Sequence, residues 1–240
     1  MGRRKRNGLA LDGFLLVDKP QDWTSHDVVN FVRGRYRLAK VGHGGTLDPM
    51  ATGLLVLLLG KCTKASDQVM AGIKTYHGTY TLGITTTTQD ADGEVEETRP
   101  LPTGLDRQTL EETAAAFTGD IEQIPPMVSA IKKDGKPLYK LAREGKVIHR
   151  DPRPVTIHRY DIVRVDLPEL EVEIDCTKGT YIRTLAHDFG DNLGCGAHLS
   201  RLRRTASGSY RVEDAVPVET LRELDLEELK EHSAFRLPES

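Results

Sequence analysis

The sequence predicts a mixed α+β fold with a mostly antiparallel central sheet flanked by helices. Three observations predict it. Short apolar or alternating runs follow one another across hairpin-like turns, several helical periods are inserted among them, and no regular βαβ period appears along the 240 residues. Phe14-Leu15-Leu16-Val17 is a short apolar run closed by Asp18-Lys19-Pro20, the pattern of a buried strand ending in a turn. After Trp23, Thr24 or Ser25 caps a helix whose Val28, Phe31 and Val32 recur at helical spacing. Leu54 to Leu59, bounded by Gly53 and Gly60, is bulky and short enough for a central strand. Residues from about Thr63 to Met70 read as a short helix, and Lys74 to Leu82 alternates, with Tyr76, Gly78, Tyr80 and Leu82 on one face. Asp90-Ala91-Asp92-Gly93 is a turn, and Leu110, Ala114 and Phe117 mark a helix ending at Gly119. Leu170, Val172, Ile174 and Cys176 line one side of a strand. Ile182, Leu185, Ala186, Phe189 and Leu193 then follow a helical period up to a Gly194 cap.

A chain of this length that is 38% hydrophobic and 29% charged buries a genuine core. No repeat, low-complexity segment or flexible linker divides it, so it reads as one domain. No apolar run approaches the roughly 18 residues of a membrane-spanning helix. The opening MGRRKRNGLA carries four bases without the apolar stretch of a secretory signal, which predicts a cytoplasmic protein with no membrane partner. Cys62, Cys176 and Cys195 are odd in number and form no C-x-x-C pair, which argues against a disulfide framework and a cysteine-rich zinc site. The net charge of −3 hides an uneven distribution. Ala130 to Tyr160 holds nine basic residues against three acidic ones, whereas from Glu213 onward nine acids face three bases.

The densest unusual segment is Val41-Gly-His43-Gly-Gly-Thr-Leu-Asp48-Pro49, which leads through Met50-Ala-Thr-Gly53 into the apolar strand. Three glycines beside a histidine and an aspartate make a loop whose backbone can approach a ligand closely. Pro49 holds the preceding Asp48 extended, which fixes a carboxylate at the mouth of a rigid turn. Locally, Asp48 reads first as a turn cap and His43 as a hydrogen-bonded loop residue. The segment is not a P-loop, because no Gly-Lys-Ser/Thr follows. The histidines are scattered, and the DADG turn lacks the remaining ligands of a calcium loop, so no metal site is expected.

Taken together, six segments in order resemble the bacterial tRNA pseudouridine-55 synthases, the TruB family. They are Gly13 to Pro20, His43 to Pro49, Asp90 to Gly93, Gly119 to Lys132 with Leu138 to Gly145, Lys178-Gly-Thr-Tyr181-Ile-Arg183-Thr, and Leu193 to His198, over about 190 residues. The resemblance implies isomerisation of uridine to pseudouridine in the T-arm loop of tRNA, with no cofactor and no metal. Asp48 takes the position of the family's catalytic aspartate. It would attack or deprotonate the target nucleotide so that the glycosidic bond breaks, the uracil turns and C5 rejoins the ribose. Whether it adds to the sugar, adds to the base or removes a sugar proton stays open. Arg183 matches the arginine that pairs with that aspartate, and its planar fork can hold both carboxylate oxygens.

For substrate binding, Tyr76 matches the aromatic that stacks on the target base, Tyr181 the second pocket tyrosine, and Leu202 the apolar residue closing the pocket. A base stacked inside an RNA loop must be flipped outward to react, and His43 matches the residue that fills the loop interior near it. Lys19 reads as electrostatic support. Lys132, Arg143 and Arg153 belong to a stretch, about 124–153, that corresponds to the family's RNA-gripping insertion, where phosphate contacts would position the tRNA. The implied organisation is a basic tail (1–10), a catalytic domain (11–240) and an acidic closing segment (213–240) too short for a PUA domain. A monomer is expected.

Two departures from the family pattern are Gly44, where many members place threonine, and Thr86-Thr87-Thr88, where several carry an acid. Rival readings are a non-catalytic tRNA-binding or folding protein, a guide-RNA-dependent rRNA pseudouridine synthase, and a glycoside hydrolase. The last would need a second carboxylate, for which Asp90 and Asp92 are candidates by composition alone.

Overall fold

The computed structural model describes residues 8–129, 132–133, 136–137 and 148–237. The chain runs β1 (Gly13–Lys19), α1 (Ser25–Arg35), β2 (Val41–His43), β3 (Thr52–Leu59), a 3-10 turn over Gly60–Ala65, α2 (Ser66–Ala71), β4 (Lys74–Leu82), β5 (Ile84–Thr86), β6 (Val95–Thr98) and α3 (Arg107–Ala116). It continues through β7 (Gly119–Gln123), β8 (Lys132–Lys133), β9 (Lys136–Pro137), β10 (Arg153–Asp166), β11 (Glu169–Cys176), α4 (Ile182–Asn192) and β12 (Ala197–Ser207). It closes with β13 (Tyr210–Arg211), β14 (Val216–Pro217), α5 (Val218–Glu223), α6 (Leu226–Glu231) and β15 (Phe235–Arg236). The α+β class with mostly antiparallel pairing is as expected. The helix expected from Thr63 is split into the 3-10 turn and α2.

The residues group into two compact units, Met1–Thr75 with Arg203–Ser240, and Tyr76–Leu202. The chain passes between them inside β4 and β12, so no composition shift marks the boundary.

In the first unit β1 pairs antiparallel with β3 along its whole length, from Gly13↔Leu59 to Lys19↔Gly53. Both strands are apolar on both faces, and Leu15, Leu16, Val17 and Leu54 to Leu59 are buried, as a strand covered on two sides requires. The far end of β12 joins β3 in parallel through Arg203↔Thr52 and Arg204↔Gly53. Helix α1 begins with a capping box: Asp27 N–H donates to Thr24 Oγ1 at 3.1 Å, and Thr24 N–H donates to the Asp27 carboxylate at 2.9 Å. Its Val28, Val29 and Val32 pack onto the β1–β3 layer.

The acidic closing segment is part of this core. Val216, Val218, Leu221, Leu229 and Phe235 are buried in it, β14 pairs with β1 through Val17↔Val216, and β15 covers the other end of β1 through Leu15↔Phe235. Two short strands thereby close an edge that would otherwise present unpaired backbone. Arg35 and the Tyr36 hydroxyl donate to the carbonyls of Arg222, Leu224 and Leu221, which fastens α5 to α1.

In the second unit β12, β4, β11, β10 and β7 lie side by side in that order. β11 alternates strictly, with Leu170, Val172, Ile174 and Cys176 buried. Helix α4 and this sheet enclose an aromatic cluster in which Tyr80, Tyr160 and Phe189 meet with ring centroids 5.8 to 6.5 Å apart. The Tyr160 hydroxyl donates to that of Tyr80 at 2.8 Å, so neither buried hydroxyl is stranded.

The packing of β15 gives a direct test. Phe235 is 9% exposed, and its ring lies where a side chain on Gly13 would project. Phe235→Ala is expected to lower the unfolding free energy in urea by about 3 kcal/mol. Arg236→Ala, half out of the core, should change it by less than about 0.5 kcal/mol.

Candidate active site

The Asp48 segment is fastened from three elements of the first unit. Five successive main-chain carbonyls are engaged. Arg204 on β12 donates to Gly45 O at 3.3 Å and Thr46 O at 3.4 Å. The Ser25 hydroxyl at the start of α1 donates to Leu47 O at 3.1 Å and accepts from Leu47 N–H at 2.8 Å. Asp48 O accepts from Ala51 N–H at 3.1 Å, and Pro49 O accepts from Asp22 N–H at 2.9 Å and from Lys19 at 3.2 Å. With its backbone held on both sides, the partly exposed Asp48 has little freedom except at its own side chain.

Two cations lie buried around this loop. Lys19 is 0% exposed and gives its other two donors to Trp23 O at 2.6 Å and Pro20 O at 2.8 Å. Burial pushes its ammonium down to about 8, and the strongest opposing charge is Asp48. Arg204 is 1% exposed and also donates to Leu54 O at 2.8 Å, so its described hydrogen bonds all go to main-chain carbonyls. Arg204 was invisible as a site residue in the sequence, where Ser200-Arg-Leu-Arg-Arg204 reads as an ordinary basic strand. His43 leads into the loop from β2. Burial, then the nearby Arg204 charge, holds its imidazole below the usual range and favours the neutral ring. Its Nδ1 is buried without a hydrogen-bond partner.

The remaining expected residues belong to the second unit. Tyr181 is the N-cap residue of α4, and the Arg183 guanidinium lies 6.0 Å from its ring centroid. Arg183, 3% exposed, donates to Val128 O at 2.6 Å and pairs with Asp90 at 3.3 Å, both of these partners being in the same unit. Asp90, which opens the Asp90 to Gly93 turn, is 3% exposed and carries a charge-paired role. The three threonines that depart from the family pattern build its turn. Thr86 Oγ1 donates to Asp90 O at 2.6 Å, Thr88 Oγ1 donates to the Asp90 carboxylate, and Thr87 Oγ1 accepts from Glu94 N–H at 3.1 Å.

Tyr76 and Leu202 are buried on β4 and β12. Arg153 is exposed at the start of β10. Lys132 lies in the β8–β9 hairpin, and Arg143 lies outside the described residues. Among the described residues no helix is long and apolar enough to cross a membrane, and no group of three or more His, Cys, Asp or Glu could hold a metal ion.

The cage around Lys19 predicts its titration. The ammonium is expected to lose its proton near pH 8, against 10.5 for an exposed lysine. Because the folded value lies below the unfolded one, the unfolded chain binds more protons between the two, and this group's contribution to stability rises with pH across that window. NMR titration of the Lys19 Cε–Hε signal checks this, and a midpoint at the exposed value would contradict the buried cage. Arg204→Met should cost on the order of 3 kcal/mol in urea unfolding, since it removes a buried donor from the buried Leu54 carbonyl and from the carbonyls of Gly45 and Thr46.

Residues 33–182 match the family model described as TruB family pseudouridylate synthase (N terminal domain), and residues 183–236 match tRNA pseudouridylate synthase B C-terminal domain. A tRNA pseudouridine synthase B from Opitutus terrae is 49% identical over 92% of this chain and 91% of its own length. One from Ectopseudomonas mendocina is 46% identical over 95% of this chain and 74% of its own. Among solved structures, a chain in a Cbf5-Nop10-Gar1 complex superimposes with a TM-score of 0.72 at 27% identity. The match covers 94% of this chain and 60% of that one. With family models matching from residue 33 to 236 and near-half identity along almost the whole length of a relative, the chain belongs to the TruB family of pseudouridylate synthases.

Proposed function

We propose that this protein converts uridine to pseudouridine at position 55, in the T-arm loop of tRNA, with Asp48 as the catalytic group. The observation that carries the reading is the fixed backbone around Asp48, with every carbonyl from Gly45 to Pro49 engaged. A carboxylate that must act on one carbon of a flipped nucleotide gains most from such pre-set geometry. Lys19 adds a positive charge close enough to be felt electrostatically by the acid, which favours the anion that each available route requires.

The reaction is an isomerisation. The N1–C1′ bond breaks, the uracil turns while held, a C5–C1′ bond forms, the C5 proton leaves, and N1 ends with a proton. The formula is unchanged, so no oxidant, reductant or cofactor is needed. In this reading Arg183 supplies the counter-charge to Asp48, and Asp90 holds Arg183 from behind. Tyr76 and Tyr181 replace the stacking that the target base loses on leaving its loop, Leu202 closes the pocket, and the neutral His43 fills the loop interior. Lys132, Arg143 and Arg153 grip phosphates of the T-arm. The protein acts as a monomer without a metal. The relatives named tRNA pseudouridine synthase B, at 46 to 49% identity, favour tRNA as substrate over the guide-RNA setting of the Cbf5 complex, at 27%.

The test is incubation of purified protein with an unmodified T-arm stem-loop and with full tRNA, followed by chemical mapping of pseudouridine. Modification of one loop uridine is expected, and Asp48→Asn and Asp48→Ala should slow single-turnover formation by at least about 100-fold. Modification at no uridine, or an unchanged rate in Asp48→Ala, would overturn the reading. Arg153→Gln should weaken binding of both RNAs similarly and flatten the salt dependence.

A further inference from the structure

We propose that Gln123 is a positioning residue for the reaction, acting through Tyr181. The proposal rests on the pocket role given above to Tyr181 and Arg183. Gln123 ends β7, is 2% exposed, and meets the backbone of a residue 58 positions away with both ends of its amide. Its Oε1 accepts from Tyr181 N–H at 2.7 Å and its Nε2 donates to Tyr181 O at 3.0 Å. The amide thereby stands in for a strand partner at one residue only. Tyr181 is the N-cap residue of α4 and offers no side-chain cap to the helix, so Gln123 fixes the point at which the chain enters the helix. Two residues on, Arg183 takes its direction from the same first turn.

The segment that follows Gln123 grips the same turn again. Val128 O accepts from Arg183 at 2.6 Å, and Thr184 Oγ1 donates to the side chain of Gln89 at 2.8 Å. Of these contacts, only the one from Gln123 sets the backbone of Tyr181 directly. A methionine at 123 fills the same volume with no hydrogen bond. A glutamate keeps the acceptor for Tyr181 N–H but, when ionised, sets a carboxylate against Tyr181 O. Arg153, the register partner of Gln123 on β10, favours the ionised form. Both variants release the turn that aims Tyr181 and Arg183, and Gln123→Met does so without setting a charge opposite the phosphate-gripping Arg153.

The experiment measures single-turnover pseudouridine formation on the T-arm stem-loop at saturating enzyme, beside RNA affinity by filter binding, for the parent, Gln123→Met and Gln123→Glu, all below their melting temperatures. The expected result is a rate 10- to 100-fold below the parent in both variants, with the affinity of Gln123→Met within about threefold of the parent. Rates within twofold of the parent, or in Gln123→Met a loss of affinity as large as the loss of rate, overturn the proposal. Amide hydrogen exchange on the parent decides the matter even if both variants fail to fold: Tyr181 N–H should be protected like the interior of β11, and free exchange there overturns it. A parent protein that forms no pseudouridine would refute the functional reading instead, so the two failures are distinguishable.

Discussion

A cation can be kept from water only where its donors find acceptors, and in the first unit both buried cations find theirs around the loop that carries Asp48. Lys19 and Arg204 supply six donated hydrogen bonds between them, all to main-chain oxygens, and three of those oxygens belong to Gly45, Thr46 and Pro49. Folding the loop satisfies the cations, and burying the cations rigidifies the loop. The arrangement also leaves the Lys19 charge within electrostatic reach of the Asp48 carboxylate, with no acid among its described hydrogen-bond partners. The cost of desolvating the cations is thus offset partly by carbonyl dipoles and partly by Asp48, the leading opposing charge on Lys19.

The second unit solves a related problem with different chemistry. The first turn of α4 carries Tyr181 and Arg183, and it is held by a neutral amide at Gln123, a neutral amide at Gln89 and an ion pair with Asp90. Asp90 sits in a turn whose geometry three threonines and a left-handed Gln89 at φ 65° maintain. Because the pair Arg183–Asp90 is almost fully enclosed, removal of the acid would strand a guanidinium in a medium that solvates it poorly. Asp90 therefore serves as the buried partner that orients Arg183.

What was legible in the sequence was local. The Leu54 to Leu59 strand, the capped α1, the alternating β11 and the periodic α4 are each announced by a run of a dozen residues or fewer, and each forms where expected. β10 was not read as a strand, because register irregularities between Ile157 and Arg159 and between Ile162 and Arg164 break its period of two. The closing segment was read by its charge, although Val216, Val218, Leu221, Leu229 and Phe235 point into the core. Lys19 was legible as support only through a family resemblance. Its cage, Arg204 beneath the loop, Ser25 clamped to Leu47 and Asp90 behind Arg183 all join residues distant in the chain, and no local pattern encodes such partners.

The glycines of the Asp48 loop show how such long-range constraints rewrite a local reading. In sequence they are places where backbone can approach a ligand. In the fold, a side chain on Gly44 would collide with Val69, and one on Gly53 would collide with the backbone of Arg204. Gly53 also sits at φ 97°, which a residue with a side chain adopts only at a cost. The close approach at Gly53 is what allows β3 and β12 to pair in parallel at Arg204, and that pairing delivers the guanidinium to Gly45 and Thr46. Bare backbone five residues after Asp48 is therefore a condition for holding the backbone just before it. The glycines at 44 and 53 are thus required by the protein's own packing, whereas Gly42 and Gly45 meet nothing closer than ordinary van der Waals contact.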